Sequence, residues 1–380
     1  MVELGEVDIK RGLKDVYFDT SRASFIDGSI GKLLYRGYSI HDLAEKSTFE
    51  ETSYLLLHGQ LPASKELAEF DSLLKDARSL PSEILEVIRL TMNAHPMDVL
   101  RTAMSALAAF DPDTEDNSQE ATLRKGVRLT AQAATIVAAH HRIRSGQDLI
   151  APSRSLGHAG NFLYMLFGEE PTEDEAKTLD KDFILHAEHG SNASAFGARV
   201  TASTVADLHA AITTGVGVLK GPLHGGAAEK VREMTLEIGD ESRAEEYVAG
   251  VIANGGRIMG FGHRVYKAED PRARHMREEC LRLGESRGDP TWFRILSAVA
   301  KAMKPYESRG IFQNVDFWSG AIYTLLTVPD DLFITIFAIG RIPGWTVQVL
   351  EQFDNNILIR PLTQYIGPMD VAYVPMEQRG

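Results

Sequence analysis

Two of the histidines that sit beside glycines in this chain are placed where a side chain can be aimed into a cleft. The first lies in Arg257-Ile-Met-Gly-Phe-Gly-His263-Arg-Val-Tyr-Lys-Ala-Glu-Asp-Pro-Arg272-Ala-Arg274. Gly260 and Gly262 allow a sharp turn, or a close approach to a ligand, just ahead of His263. The same stretch sets Arg257, Arg264, Lys267, Arg272 and Arg274 against only Glu269 and Asp270, in a chain whose formal charge is -13. A local cation excess of that kind is a candidate anion site. The second histidine lies in Leu219-Lys-Gly-Pro-Leu-His224-Gly-Gly-Ala. Gly221 and Pro222 end one helix and residues 227–234 begin another, so His224 falls at or just before a helix N-terminus. The dipole there disfavours an imidazolium. A neutral imidazole still donates a hydrogen bond to a carbonyl that is becoming an enolate.

Gln313-Asn-Val-Asp316-Phe-Trp-Ser-Gly320 adds a carboxylate between apolar neighbours. Partial desolvation raises such a pKa and makes a better base. Arg341-Ile-Pro-Gly-Trp345 and Asn356-Ile-Leu-Ile-Arg360-Pro361 each set an arginine beside a break in the apolar pattern, and an arginine fork suits a carboxylate. His186-Ala-Glu-His189 ends a helix with both histidines on one face. As a metal site it lacks the H-E-x-x-H pattern and a clear third ligand; a hydrogen-bond donor at a substrate pocket is the other functional reading. Each residue alone has an ordinary explanation: a turn histidine, a helix-capping aspartate, a surface arginine. The set has a chemical one. A base removes a proton next to a carbonyl, one histidine stabilises the enolate, another polarises an electrophile, and arginines hold carboxylates. Those are the needs of a carbon–carbon condensation on a polyanionic acid.

The elements that must position these residues are helical. The 380 residues allow about two domains or one large one, and 44% hydrophobic with 24% charged content is that of a globular protein. The net negative charge argues against a broad nucleic-acid surface. Cys280 is the lone cysteine, which excludes an intrachain disulfide and a Cys-rich zinc site. The start, MVELGEVDIK, has no apolar core of a leader, and no apolar run approaches a membrane span, residues 332–339 being among the longest; the expected compartment is the cytoplasm. Residues 1–38 read as irregular, with short strands at 16–18 and 32–35 and a turn at Gly28 and Gly31. Gly28-Ser-Ile-Gly-Lys32-Leu33 lacks the spacing and the hydroxyl of a phosphate loop.

Helices follow. Ser47-Thr-Phe-Glu50 reads as a capping box and Gly59 as a C-cap. Leu67, Phe70, Leu73 and Leu74 form a stripe. Residues 81–92 are helical, His95-Pro96-Met97 breaks the pattern, and 99–110 resumes it. Residues 111–118 are an acidic loop, and 121–144 and 154–167 are helices. Thr172-Glu-Asp-Glu175 caps a further helix with Leu179, Phe183 and Ile184 on one face. Residues 206–218 form a buried one. The fold class is all-α.

Taken in order, Gly221-Pro-Leu-His224-Gly-Gly226, Gly260-Phe-Gly-His263-Arg-Val-Tyr-Lys267 with Asp270-Pro-Arg272, and Asn314-Val-Asp316-Phe resemble the citrate synthase family. The resemblance covers nearly the whole chain, and His186-Ala-Glu-His189 and Ile359-Arg360-Pro361 fit it. It implies a large helical domain of residues 1–218 and 321–380 and a small one of 219–320, closing on a cleft. It implies condensation of acetyl-CoA with oxaloacetate and water to citrate and CoA, the first step of the citric acid cycle. By the same resemblance Asp316 is the base, His224 bonds the thioester oxygen, and His263 polarises the ketone and protonates the alkoxide. His189, Arg272, Arg341 and Arg360 bind oxaloacetate, with Arg360 donated by the partner subunit of a homodimer. The backbone of Arg257, Ile258, Met259, Gly260 and Phe261 meets the CoA adenine, and Lys267 its phosphates. No metal and no cofactor is implied, because the CoA thioester is a substrate.

The short N-terminus leaves no room for the extra domain of hexameric, NADH-inhibited members, which implies a simple dimer. Gly190-Ser191-Asn192 departs from the more acidic run of eukaryotic members. The near alternative is a 2-methylcitrate synthase using propionyl-CoA. Alternatives of other classes are a metal-dependent hydrolase built on His186, Glu188 and His189, and a helical scaffold without activity.

Overall fold

Thr172 illustrates how this sequence starts its helices. Its hydroxyl accepts from the Glu175 N–H at 3.3 Å, while the Glu175 carboxylate accepts from the Thr172 N–H at 2.8 Å. Two orphan amides are satisfied reciprocally, as the spacing predicts. The computed structural model describes residues 8–13 and 15–380 of the chain. A small antiparallel sheet comes first: β1 (Ser24–Asp27), β2 (Lys32–Tyr35) and β3 (Tyr38–Ser39), in that spatial order. The helices are α1 (Ile40–Lys46), α2 (Phe49–His58), α3 (Ser64–Asp76), α4 (Ser82–Leu90), α5 (Pro96–Leu107), α6 (Gln119–Arg144), α7 (His158–Phe167) and α8 (Glu173–His186). They continue as α9 (Ala193–Ser203), α10 (Leu208–Leu219), α11 (Ala227–Ile238), α12 (Ala244–Ala253), α13 (Ala273–Ser286), α14 (Thr291–Met303), α15 (Asp316–Leu325) and α16 (Phe333–Asp354). The all-α expectation holds.

Several local expectations shift. The strand at 32–35 forms, but residues 16–18 are not a strand, and β1 at 24–27 is the partner instead. The cap of α2 is Thr48, whose hydroxyl accepts from Glu51 N, one residue later than the pattern places it. His95-Pro96 starts a helix rather than breaking one: His95 caps α5 and Pro96 takes its first turn, where proline has no amide to lose. Helix α9 lies in a stretch given no helix, because its alanines and small polar residues make no apolar stripe. Leu73 is exposed, so Phe70 and Leu74 carry the buried face of α3. The reading of the start as leader-free rests largely on residues 1–7, which lie outside the described residues.

Helix α16 is the axis of the larger group, packing on α2, α6, α8, α9 and α10. The 25 residues Asp330–Asp354 are long and apolar enough to cross a membrane, contrary to the expectation of no such run. Arg341, Pro343, Gly344 and Gln348 disguise it in the sequence, and its burial inside the helical core accounts for its composition. Gly344 lets the end of α8 come close: a Cβ there would lie 2.0 Å from the Ala187 carbonyl oxygen. A second group forms where α11, α13 and α14 pack on α15, and α12 on α14. The boundary expected at residues 320 and 321 falls inside α15, which is continuous. Cys280 is buried in α13, and burial pushes its thiol up to about 12.

Phe183 shows how the core is filled. It is fully buried in α8, with ring centroids 5.2 Å from Phe49 of α2 and 6.5 Å from Phe162 of α7. Truncating it leaves a cavity between three helices that cannot collapse. Phe183→Ala is expected to cost about 3–5 kcal/mol, read as a lowered urea midpoint with an unchanged slope.

Candidate active site

The His263 loop is held by glycine geometry and by a neighbouring strand-like segment. Gly260 and Gly262 have φ of 77° and 85°, which is left-handed backbone. Gly262 N–H donates to Phe312 O at 2.8 Å, and Asn314 N–H to Gly260 O at 2.9 Å. Asn314 Nδ2 adds a bond to Gly262 O at 3.1 Å. The loop is thereby tied to the residues that lead into α15 and Asp316. His263 Nδ1 accepts from the N–H groups of Val265 (3.0 Å) and Tyr266 (3.2 Å). An imidazole nitrogen facing two donors carries no proton, so the ring proton is on Nε2. Burial, helped by the Arg272 charge, pushes the pKa of His263 down to about 4. His263 is a neutral Nε2–H donor.

His189 follows the end of α8, with its ring centroid 5.2 Å from that of His263. Its Nε2 lies 3.1 Å from Tyr266 Oη, and burial pushes its pKa well down. His224 sits between α10 and α11, two residues before the cap Gly226. Its Nε2 lies 2.8 Å from Ser194 Oγ and accepts the Ser194 N–H at 3.4 Å, which leaves the ring proton on Nδ1. The pKa of His224 is pushed down to about 4, as a neutral role needs. Burial is the larger cause and the charge of Arg341 the next. Phe337 of α16 joins this side of the site, with its ring 6.3 Å from His224 and 4.6 Å from the Arg341 guanidinium carbon.

Arg272 is buried and forked onto Asp270, Nε to Oδ1 at 2.9 Å and Nη2 to Oδ2 at 2.7 Å. Burial acts to lower the pKa of the guanidinium; Asp270 outweighs it and raises the Arg272 pKa. Arg341 is equally buried, but its protein hydrogen bond among the described residues is from Nε to His186 O. Burial lowers its pKa to about 10. The carboxylate that acts most strongly on it is Glu188, whose own pKa burial pushes up to about 7.

Asp316 opens α15 but caps nothing: the cap position is Val315, and the Asp316 carboxylate accepts no hydrogen bond among the described residues. Burial raises its pKa, with Asp270 and Asp182 adding to the rise and His186 and Arg272 opposing it. Arg360 stands apart. It is exposed on the C-terminal segment, anchored by Ile359 N–H to Ser203 Oγ at 3.1 Å, and no hydrogen bond or ion pair joins it to the cluster among the described residues. Of the residues assigned to CoA, Arg257 and Lys267 are exposed, Ile258 and Gly260 buried, and Met259 and Phe261 half-buried. Phe261 stacks edge-on to Phe317 at 4.8 Å.

His186, Glu188 and His189 do not converge. His186 Nδ1 faces Asp182 O at 2.9 Å, Glu188 accepts from Gln348 Nε2 at 2.8 Å, and His189 faces Tyr266. No group of three or more metal-ligating side chains forms among the described residues. Sequence reasoning missed Tyr266, Ser194 and Phe337. Tyr266 lies inside the His263 motif and Ser194 two residues after Asn192, so proximity was the available signal; Phe337 is one apolar residue among many and offered none.

A family model described as citrate synthase, C-terminal domain, matches residues 12–362. The citrate synthase of Deinococcus radiodurans is 44% identical over 374 residues, covering 98% of this chain and 99% of the relative. A 2-methylcitrate synthase of Mycobacterium tuberculosis is 42% identical over 361 residues, 95% of this chain and 91% of its own. Among solved structures, the citrate synthase of Pyrobaculum aerophilum superposes with a TM-score of 0.94 at 42% identity, over 98% of this chain and 95% of that one. A ternary complex of the Thermoplasma acidophilum citrate synthase with carboxymethyl-CoA and oxaloacetate gives 0.92 at 31% identity, over 98% and 100%. A match of this length to the family model, with relatives above 40% identical over nearly the whole chain, has one reading: the chain belongs to the citrate synthase family.

Proposed function

We propose that this enzyme condenses acetyl-CoA with oxaloacetate and water to give citrate and CoA. The observation that carries the reading is Asp316: a carboxylate of raised pKa that accepts no hydrogen bond among the described residues and lies in the field of the buried Arg272 and Arg341. Asp316 takes a proton from the thioester methyl group. The Nδ1–H of His224 donates to the thioester oxygen as the enol or enolate forms, a donor worth about 10²–10³ in rate. The nucleophilic carbon attacks the oxaloacetate ketone, which His263 polarises through Nε2–H, and the same proton passes to the new alkoxide. His189, Arg272 and Arg341 bind the oxaloacetate carboxylates and carbonyl. Water then cleaves citryl-CoA and CoA leaves. The backbone of residues 257–261 meets the adenine and Lys267 the phosphates. The assignment of residues 1–218 and 321–380 to a large domain and 219–320 to a small one belongs to this proposal, with closure assembling the site; so does the cytoplasm as compartment.

A homodimer is part of the same reading. Beyond α16 the chain exposes Ile357, Leu358, Leu362, Ile366, Val371 and Tyr373, apolar side chains that its own core does not cover. A second copy that covers them also brings Arg360 to the neighbouring site. Using propionyl-CoA instead is the second reading, favoured by the 2-methylcitrate synthase relatives. One methylene is worth about 1–3 kcal/mol in an apolar pocket, so both thioesters must be measured.

Release of CoA thiol from each thioester, with and without oxaloacetate, tests the reaction. Oxaloacetate-dependent release, faster with acetyl-CoA, is the expected result, and Asp316→Ala lowers kcat by about 10²–10⁴; an Asp316→Ala variant with full turnover sinks the assignment. The pH profile follows from the shifts. A base acts ionised, so kcat/KM is lost as pH falls through the raised pKa of Asp316, while His224 and His263, near 4, stay neutral above it. Glu188 also titrates, near 7. A Glu188→Gln variant that keeps the acid limb assigns it to Asp316, and one that loses the limb reassigns it. Arg360 is tested by mixing inactive Asp316→Ala and Arg360→Ala subunits. Donation across the interface gives each mixed dimer one intact site and restores activity; action within one chain restores none.

A further inference from the structure

The β1–β2 hairpin touches the loops that carry His189 and His263, although sequence analysis assigns its residues no role. Along β1, Ser24 Oγ donates to Glu188 Oε1 at 3.1 Å and accepts from Gly190 N–H at 3.1 Å. A Cβ at Gly190 would lie 3.3 Å from Ile26 Cδ1. These contacts hold the loop on either side of His189. The turn of the hairpin holds the other loop. Lys267 N–H donates to Gly28 O at 2.8 Å. A Cβ at Gly28 would lie 2.2 Å from Val265 O, and one at Gly31 would lie 2.3 Å from Glu269 O. Arg264 Nη2 adds a tie to the N-terminal segment, donating to Gly12 O at 3.0 Å.

We infer that the β1–β2 turn is a positioning element for the condensation: it seats residues 263–269 and so sets His263 against His189. The inference rests on the proposed function. Its physical basis is the Val265 peptide. The carbonyl of Val265 abuts Gly28, while the N–H of the same residue is one of the two donors that fix the His263 ring and its tautomer. A displacement of this residue at the hairpin is therefore felt at Nε2. The turn is stiff enough to act as a seat. The ladder closes on Asp27 and Lys32, and Asp27 Oδ1 accepts both the N–H (2.9 Å) and the hydroxyl (2.6 Å) of Ser29.

The test is a methyl group. Gly28 is not in left-handed backbone, so alanine is locally unstrained there, and its methyl meets the Val265 carbonyl. An ordinary contact begins near 3.4 Å, so the 2.2 Å gap must open by about 1 Å. A misplacement of that size costs on the order of 10²-fold. Gly28→Ala is expected to lower kcat and raise the KM for oxaloacetate, reducing kcat/KM about 10²-fold. Ile30→Ala, on the same turn with an exposed side chain, keeps wild-type kinetics. Gly28→Ala with wild-type kcat and KM overturns the inference. If Gly28→Ala lowers Tm, Asp27→Ala decides, because it removes the two bonds that stiffen the turn and adds no bulk: a raised oxaloacetate KM upholds the inference and wild-type kinetics overturn it. Wild-type protein that releases no CoA with oxaloacetate sinks the condensation itself, which is a different failure from a silent Gly28→Ala.

Discussion

Two buried guanidinium groups are the constraint around which this molecule is arranged. Taking such a charge out of water is expensive unless a partner sits beside it. Arg272 has that partner in Asp270, forked and as deeply buried. Arg341 has no carboxylate in contact; it has a backbone carbonyl, the face of Phe337, and Glu188 at longer range. The charge of Arg341 is therefore met only at a distance by the carboxylates of Glu188 and Asp316. A dianionic ligand meets it directly, and binding then draws on electrostatic free energy that the fold has already set aside.

The same burial explains the charge states around the two guanidinium groups. His189, His224 and His263 are each kept neutral by burial, with a guanidinium as the next contribution. Neutral imidazoles donate hydrogen bonds without adding cations to a site already rich in them. The tautomers are set by ordinary backbone and hydroxyl groups, Val265 and Tyr266 for His263 and Ser194 for His224. Burial pushes Asp316 in the opposite direction, toward a stronger base. Burial thus supplies neutral donors and a basic carboxylate together, because low dielectric disfavours every charged form.

The legible part of the sequence was the part with local causes. Caps at Thr172 and Gly59, glycines at 260 and 262, and the residue types at His224, His263 and Asp316 all declare themselves within a few positions. What stayed hidden depends on distance along the chain. Ser24 and Glu188 are 164 residues apart, and His189 and Tyr266 are 77 apart. No periodicity records such a pairing. Helix α16 hid for another reason: a membrane-like stretch in a helical core is interrupted by Arg341 and Pro343.

The lone cysteine has a consequence for an enzyme whose product is a thiol. Free CoA readily forms disulfides, and an accessible thiolate near its exit would be a target for mixed-disulfide capture. Attack needs the thiolate and a path to it. Cys280 has neither, being sealed in α13 with its proton held to about pH 12. The catalyst is therefore inert toward its own leaving group, and swings in the cellular ratio of thiol to disulfide pass it by.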